Sequence, residues 1–154
     1  MTHSTPSQSY RERLTPGPWM FVTLLLLVPA VILVMIPLNE SLAIPLAIVL
    51  YVIFAGSLVM LAPIVSVENG VLTAGTAKIP LELLGEVKIL EDDQLRLAIG
   101  PGLDARAHLM VRGYIHRAIR VAVNDPADPA PYWVVTTRKP QTLQAAIAAG
   151  RAGR

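Results

Sequence analysis

Two stretches decide the fold: Trp19–Leu38, WMFVTLLLLVPAVILVMIPL, and Leu42–Ala62, LAIPLAIVLYVIFAGSLVMLA. Neither contains a charge, and only Asn39-Glu40-Ser41 separates them. A helix rises 1.5 Å per residue, so about 20 apolar residues cross a hydrocarbon core about 30 Å thick. Neither run carries the polar stripe of a surface helix in a soluble protein. The short connection predicts an antiparallel helical hairpin.

Working outward, Glu40 is the only charged residue between Leu14 and Val67. The chain has 154 residues, 53% hydrophobic and 16% charged, with mean hydropathy +0.53. An ordinary soluble domain carries about 25% charged residues, and here the deficit is concentrated in the hairpin. This excludes a disordered chain and a basic nucleic-acid-binding protein. Cysteine is absent, which removes disulfides, zinc thiolates, iron–sulfur clusters and cysteine nucleophiles.

The organisation expected is a polar tail over 1–17, a transmembrane hairpin over 18–63 and a C-terminal α+β domain over 64–154. Pro29 predicts a kink in the first span. Pro45 falls near the start of the second, with Asn39 or Ser41 as N-cap, and Gly56 and Ser57 are small enough for close helix approach. The apolar stretch is too long for a signal-peptide core. Arg11 and Arg13 flank the first span while the inter-helix turn has no base, so the positive-inside rule puts both termini in the cytoplasm of a multi-pass plasma-membrane protein. Tyr10 and Trp19 suit the membrane interface.

After Ala62 the pattern turns to alternation. Ile64–Glu68, Asn69-Gly70 and Val71–Ala74 predict a β-hairpin, since both central turn residues need positive φ. Further strands are expected at Ile79–Leu81, Leu84–Leu90, Ala107–Arg112, Ala118–Asn124 and Tyr132–Thr137. A short helix Gln94–Ile99 is capped by Asp92 or Asp93 and closed by Gly100, and a helix runs from Pro140 to about Ala149. In the 118–124 strand, Ile119, Val121 and Val123 define a buried face, opposite a wet one. The whole is α+β: a small curled, barrel-like antiparallel sheet closed by a C-terminal helix, with a pleckstrin-homology-like layout.

No catalytic constellation emerges. His108 and His116 lack acidic partners at ligand spacing, Gly100-Pro101-Gly102 lacks the frame of a phosphate loop, and no serine sits in a nucleophile elbow. The expectation is a non-enzymatic protein with no metal and no cofactor. Charge is the remaining lead. Residues 64–104 hold seven acids and three bases, net −4; residues 105–154 hold two acids and eight bases, net +6. Arg106, Arg112, Arg117 and Arg120 cluster around the 107–124 strand pair, with His116 and Arg120 on one face by parity. Tyr132 and Trp133 point to opposite faces, one into the core and one available as an anchor. Arg112, Arg117, Arg120 and Trp133 are therefore the candidate contacts for anionic lipid headgroups or an acidic protein partner. Tyr114 is the only aromatic there, which disfavours nucleic acid.

Several landmarks together carry a resemblance. They are Tyr10-Arg11-Glu12-Arg13-Leu14, Val67-Glu68-Asn69-Gly70-Val71-Leu72, Ile79-Pro80-Leu81, Gly85-Glu86-Val87, Asp125-Pro126-Ala127-Asp128-Pro129 with Pro131-Tyr132-Trp133, and Thr137-Arg138-Lys139-Pro140. Over roughly residues 10–149 the chain resembles a small actinobacterial membrane-protein family of unknown function, with two spans and a C-terminal domain. The layout is also similar to bacterial pleckstrin-homology-like membrane proteins. The resemblance implies no activity, cofactor or catalytic residue. Two functions stand as expectations: a membrane-anchored interaction module, or a structural or assembly subunit acting through the hairpin. An enzyme on a lipid or envelope precursor ranks third.

Overall fold

Residues Tyr10 to Leu14 alternate apolar and charged, and that alternation makes a strand. In the computed structural model, which describes residues 9–153, β1 (Tyr10–Arg13) pairs antiparallel with β2 (Ile64–Glu68), Tyr10 opposite Val67 and Arg13 opposite Ile64. Tyr10 is 7% exposed and Leu14 is fully buried, while Arg11 and Arg13 face outward. The expected polar tail is corrected here: its last residues belong to a folded sheet, and Tyr10 is a core residue. The chain divides into Thr15–Ala62 and a second unit that joins the segment ending at Leu14 to the segment beginning at Pro63.

The first unit is helical. It comprises α1 (Pro18–Leu25), α2 (Leu27–Met35) and α3 (Glu40–Met60). Pro18–Met35 and Glu40–Met60 are 18 and 21 residues long, with mean hydropathy 2.4 and 2.5, long and apolar enough to cross a membrane. Pro29 lacks an N–H, so the Leu25 carbonyl loses its helical donor. The helix breaks there, at Leu26, one turn before the proline. Asn39 caps α3 by accepting from the Leu42 amide at 3.3 Å. Because α3 starts at Glu40, Pro45 lies inside it. Its buried positions are Ala43 and Ala47, one turn apart. Gly56 was expected at a close approach, but a Cβ there would meet nothing within 4 Å. Ser57 returns its hydroxyl to the Ile53 carbonyl at 2.5 Å.

The second unit is built on two four-stranded sheets. In the first, order β1-β2-β3-β4, β3 is Val71–Ala74 and β4 is Ala77–Pro80. Asn69 and Gly70 take φ of 52° and 75°, the conformation the two-residue hairpin requires. Gly75 (φ 65°) turns β3 into β4. A 3₁₀ turn, Leu81–Leu83, leads into the second sheet, order β5-β7-β8-β6. Its strands are β5 (Leu84–Glu91), β6 (His108–Met110), β7 (Arg117–Val123) and β8 (Tyr132–Thr136). The barrel-like antiparallel expectation is corrected in two respects: the sheets are not closed, and β6 runs parallel to β8. Helix α4 (Asp92–Ile99) starts at Asp92 itself, not at Gln94, with that residue at φ 25° and its amide on the His116 carbonyl. Helix α5 (Pro140–Ala152) continues three residues past the expected Ala149.

The main core joins both sheets and α5, with Leu14, Val65, Leu72, Leu81, Ile119 and Leu143 among its fully buried members. A second, smaller cluster lies on the other face of β7 and β8: Leu95 of α4 with Ala118, Tyr132 and Val134. That face of the 118–124 strand, expected to be wet, is thus partly covered.

Two side-chain networks tie sequence-distant pieces together. The Glu12 carboxylate accepts from the Tyr10 hydroxyl, the Thr137 hydroxyl and the Arg138 amide, at 2.5, 2.5 and 3.1 Å. Burial, with Glu12 beside it, pushes the Tyr10 phenol above its ordinary value. The folded state therefore favours the neutral phenol, and its stability contribution, complete below about pH 10, is lost as pH rises beyond the phenol's unfolded value. Alkaline unfolding of wild type and Tyr10→Phe followed by circular dichroism should show this limb in wild type and its reduction in the variant. Arg151 donates to the Leu81, Leu84 and Gly85 carbonyls at 3.2, 2.7 and 2.7 Å, pinning α5 to the junction between the sheets. Arg151→Met should cost about 1 kcal/mol in denaturant unfolding, the scale of partly solvated hydrogen bonds.

Candidate functional site

Strands alternate their side chains, so Glu86, Lys88 and Leu90 of β5 share a face, as do Ala118, Arg120 and Ala122 of β7. Register places Lys88 directly opposite Arg120. This is the face on which α4 sits, and it is away from the main core. Two clefts flank the pair. One, of about 560 Å³, is lined by Lys88, Leu90, Gln94, Leu97, Gly102 and Arg120. The other, of about 400 Å³, is lined by Glu86, Lys88, Asp104, Arg120, Pro131 and Tyr132. Lys88 and Arg120 line both.

Arg120 lies over an aromatic ring. Its guanidinium carbon lies 3.8 Å from the centroid of the Tyr132 ring, a cation–π contact. The ring is fixed, because its hydroxyl accepts from the Asp104 amide at 2.9 Å and donates to the Gly102 carbonyl at 3.4 Å. The loop after α4 thereby braces the aromatic platform. The neighbouring charges are already matched. Asp104 accepts from Arg106 at 3.3 and 3.2 Å, and these hydrogen bonds hold its carboxyl below the usual range. Lys88 lies 3.5 Å from Glu86, both side chains well exposed, a pair worth little in water. Among the described residues no carboxylate pairs with Arg120.

The four contacts expected from sequence do not converge. Arg117 lies 4.0 Å from Glu91 and, three residues from Arg120 on β7, projects from the opposite face. Arg112 follows β6; its amide donates to the Thr136 hydroxyl at 3.2 Å, and its Nε is buried without a partner among the described residues. Trp133 is 4% exposed and belongs to the main core, with the His108 ring 4.6 Å away. It offers no anchor surface, and Tyr132, 6% exposed, is the aromatic that touches the cleft. His116 precedes β7 and contributes its carbonyl to Asp92.

Of the residues put forward from sequence, Arg120 lines the clefts; Lys88, Gln94 and Asp104, which were not put forward, line them as well. Lys88 is one of three bases in the acidic half of the charge split, where a base draws no notice. Parity along β5 was the available indication, but it needed the β5–β7 register to pair Lys88 with Arg120. Among the described residues there is no group of three histidine, cysteine or carboxylate side chains placed to hold a metal.

A family model described as "Protein of unknown function (DUF3093)" matches residues 9–147. No curated protein and no solved structure matches the chain.

The brace under Arg120 is testable. Tyr132→Phe removes both hydroxyl hydrogen bonds at a cost of about 1 kcal/mol. Hydrogen exchange at the Asp104 amide should accelerate selectively, while amides of the first sheet keep their protection.

Proposed function

The chain belongs to the DUF3093 family of proteins of unknown function, and we propose that it is a non-enzymatic membrane-anchored interaction module. The hairpin spans the plasma membrane. The α+β unit, a pleckstrin-homology-like domain with the hairpin spliced between its first and second strands, lies in the cytoplasm. There it contacts an acidic protein partner or anionic lipid headgroups through the Arg120 cleft. Anchoring raises local concentration, so a weak contact suffices.

The observation that carries this reading is the insertion of two long apolar helical runs between two hydrogen-bonded strands. The Leu14 amide meets the Pro63 carbonyl at 2.9 Å, closing the base of the insertion. An insertion closed this way returns to the side it left, as an even number of spans requires. Arg11 and Arg13 beside the first span, with Glu40 alone in the turn, then favour the cytoplasmic side for that base.

A second reading, a structural or assembly subunit acting through the hairpin, draws on a wholly apolar cleft of about 330 Å³ on the helices, lined by Ala30, Val31, Val34, Met35 and Leu46. Such a groove accepts another helix. Exchanging both spans for an unrelated hairpin separates the readings, since an interaction module keeps its function and a subunit acting through its spans loses it.

The module itself is tested by in-cell crosslinking of the tagged chain. A crosslinked protein or lipid should be retained in Arg117→Glu and lost in Arg120→Glu. An unchanged crosslinking pattern in Arg120→Glu contradicts the cleft as the contact surface. Reporter fusions at Arg154 should give a cytoplasmic signal, and a periplasmic one overturns the topology.

A further inference from the structure

We infer that the cleft shared by Lys88 and Arg120 is a phosphate site, taking the phosphate group of a lipid headgroup or of a soluble phosphate ester. This deepens the reading of the cleft as a contact surface and rests on it.

The argument starts from a repulsion. Lys88 and Arg120 are register partners on one face of β5 and β7. Side chains directly opposite begin about 5 Å apart, and like charges there are destabilising. Two cations in register beside a cleft give an anion seated there a favourable contact with both. Glu86 offsets Lys88 only weakly, for both ends of that pair are well exposed. Arg106 already occupies Asp104. The local excess of positive charge therefore sits on Arg120, and an anion lying between the two bases removes the repulsion.

The geometry selects the anion. The Arg120 guanidinium lies over the Tyr132 ring, and among the described residues no carboxylate pairs with it, so its N–H groups can donate to an added anion. A guanidinium is the planar fork that binds oxyanions with two parallel hydrogen bonds. A carboxylate spends both its oxygens on that fork. A tetrahedral phosphate has further oxygens pointing out of the fork plane, and Lys88 across the strand pair is placed to meet them as a point charge. The larger cleft continues past the two bases to Gln94, Leu90 and Leu97, and Leu97 is 61% exposed on α4. The rest of the ligand thus has an uncharged wall to lie against, which suits an ester better than inorganic phosphate.

The test uses the full chain in a phosphate-free maltoside detergent. It is titrated at constant ionic strength with glycerol phosphate, inorganic phosphate and acetate, following the thermal unfolding midpoint. Glycerol phosphate should raise the midpoint saturably, inorganic phosphate less, and acetate least. Arg120→Gln and Lys88→Gln should each weaken the apparent affinity about tenfold, the scale of one charge-assisted contact, and Arg117→Gln should leave it unchanged. Lys88 is exposed, so its variant stays informative should Arg120→Gln fail to fold. Mixed micelles containing phosphatidylglycerol distinguish the source: saturation at lower phosphate concentration on the lipid identifies a headgroup site, and equal or weaker saturation identifies a soluble ester. No saturable response to any phosphate, or the same response in both Gln variants, overturns the inference. Acetate matching phosphate with the same Arg120 dependence overturns the phosphate assignment and leaves the contact surface standing. Saturable phosphate binding with crosslinks unchanged in Arg120→Glu does the reverse.

Discussion

The pairing of β1 with β2 is the constraint on which the rest depends. It joins strands separated by the whole of Thr15–Ala62. Closing so long a connection costs loop entropy, although that cost grows only slowly with length, and β1 at the edge of its sheet has a single neighbouring strand to repay it. The structure adds stitches elsewhere. Glu12 reaches Thr137 and Arg138 at the entry to α5, Tyr10 reaches Thr137, and Tyr114 donates to the Leu14 carbonyl at 2.7 Å. Each stitch is long-range in sequence. Together they make the segment before the hairpin part of the same core as the segment after it. The hairpin is therefore an insertion within a domain, not a leader attached to one.

This constraint explains what sequence could and could not show. The hairpin was legible because twenty uncharged residues admit few alternatives. The Asn69-Gly70 turn was legible because its backbone demands those residue types, and the alternation of β7 was visible over Ile119, Val121 and Val123. β1 escaped because the arginines that make its outer face also read as a topology signal, and four residues carry little periodicity. The parallel β6–β8 pair escaped because it joins a three-residue strand to one reached only after β7 and the proline turn. The break at Leu26 follows from Pro29 by a rule known in advance, but its place one turn upstream needed the hydrogen-bond ladder to be followed backward.

At the candidate site the same division holds. The surplus of bases after residue 105 pointed to Arg120, but composition cannot distinguish residues that share a strand from residues that share a face. Arg117 and Arg120 are three apart and diverge, whereas Lys88 and Arg120 are 32 positions apart in sequence and meet by register. Trp133 and Tyr132 were separable only by knowing which face α4 covers. Both are buried, yet Tyr132 turns its ring to the cleft while Trp133 turns inward. The cleft is thus a product of sheet pairing and of the loop after α4, and neither is written in a local pattern.

The central claim, that the strands on either side of the hairpin form one ladder, can be tested most directly by crosslinking. The native chain has no cysteine, and Arg11 and Ser66 are register partners. Opposed residues in an antiparallel pair place their Cα atoms about 4.5–5.5 Å apart, within disulfide range. In the chain carrying Arg11→Cys with Ser66→Cys, mild oxidation should close an intramolecular disulfide in nearly all folded molecules. The combination Arg11→Cys with Thr73→Cys, one strand further on, should remain reduced. Failure of the first pair to close, or equal closure of both, would contradict the account.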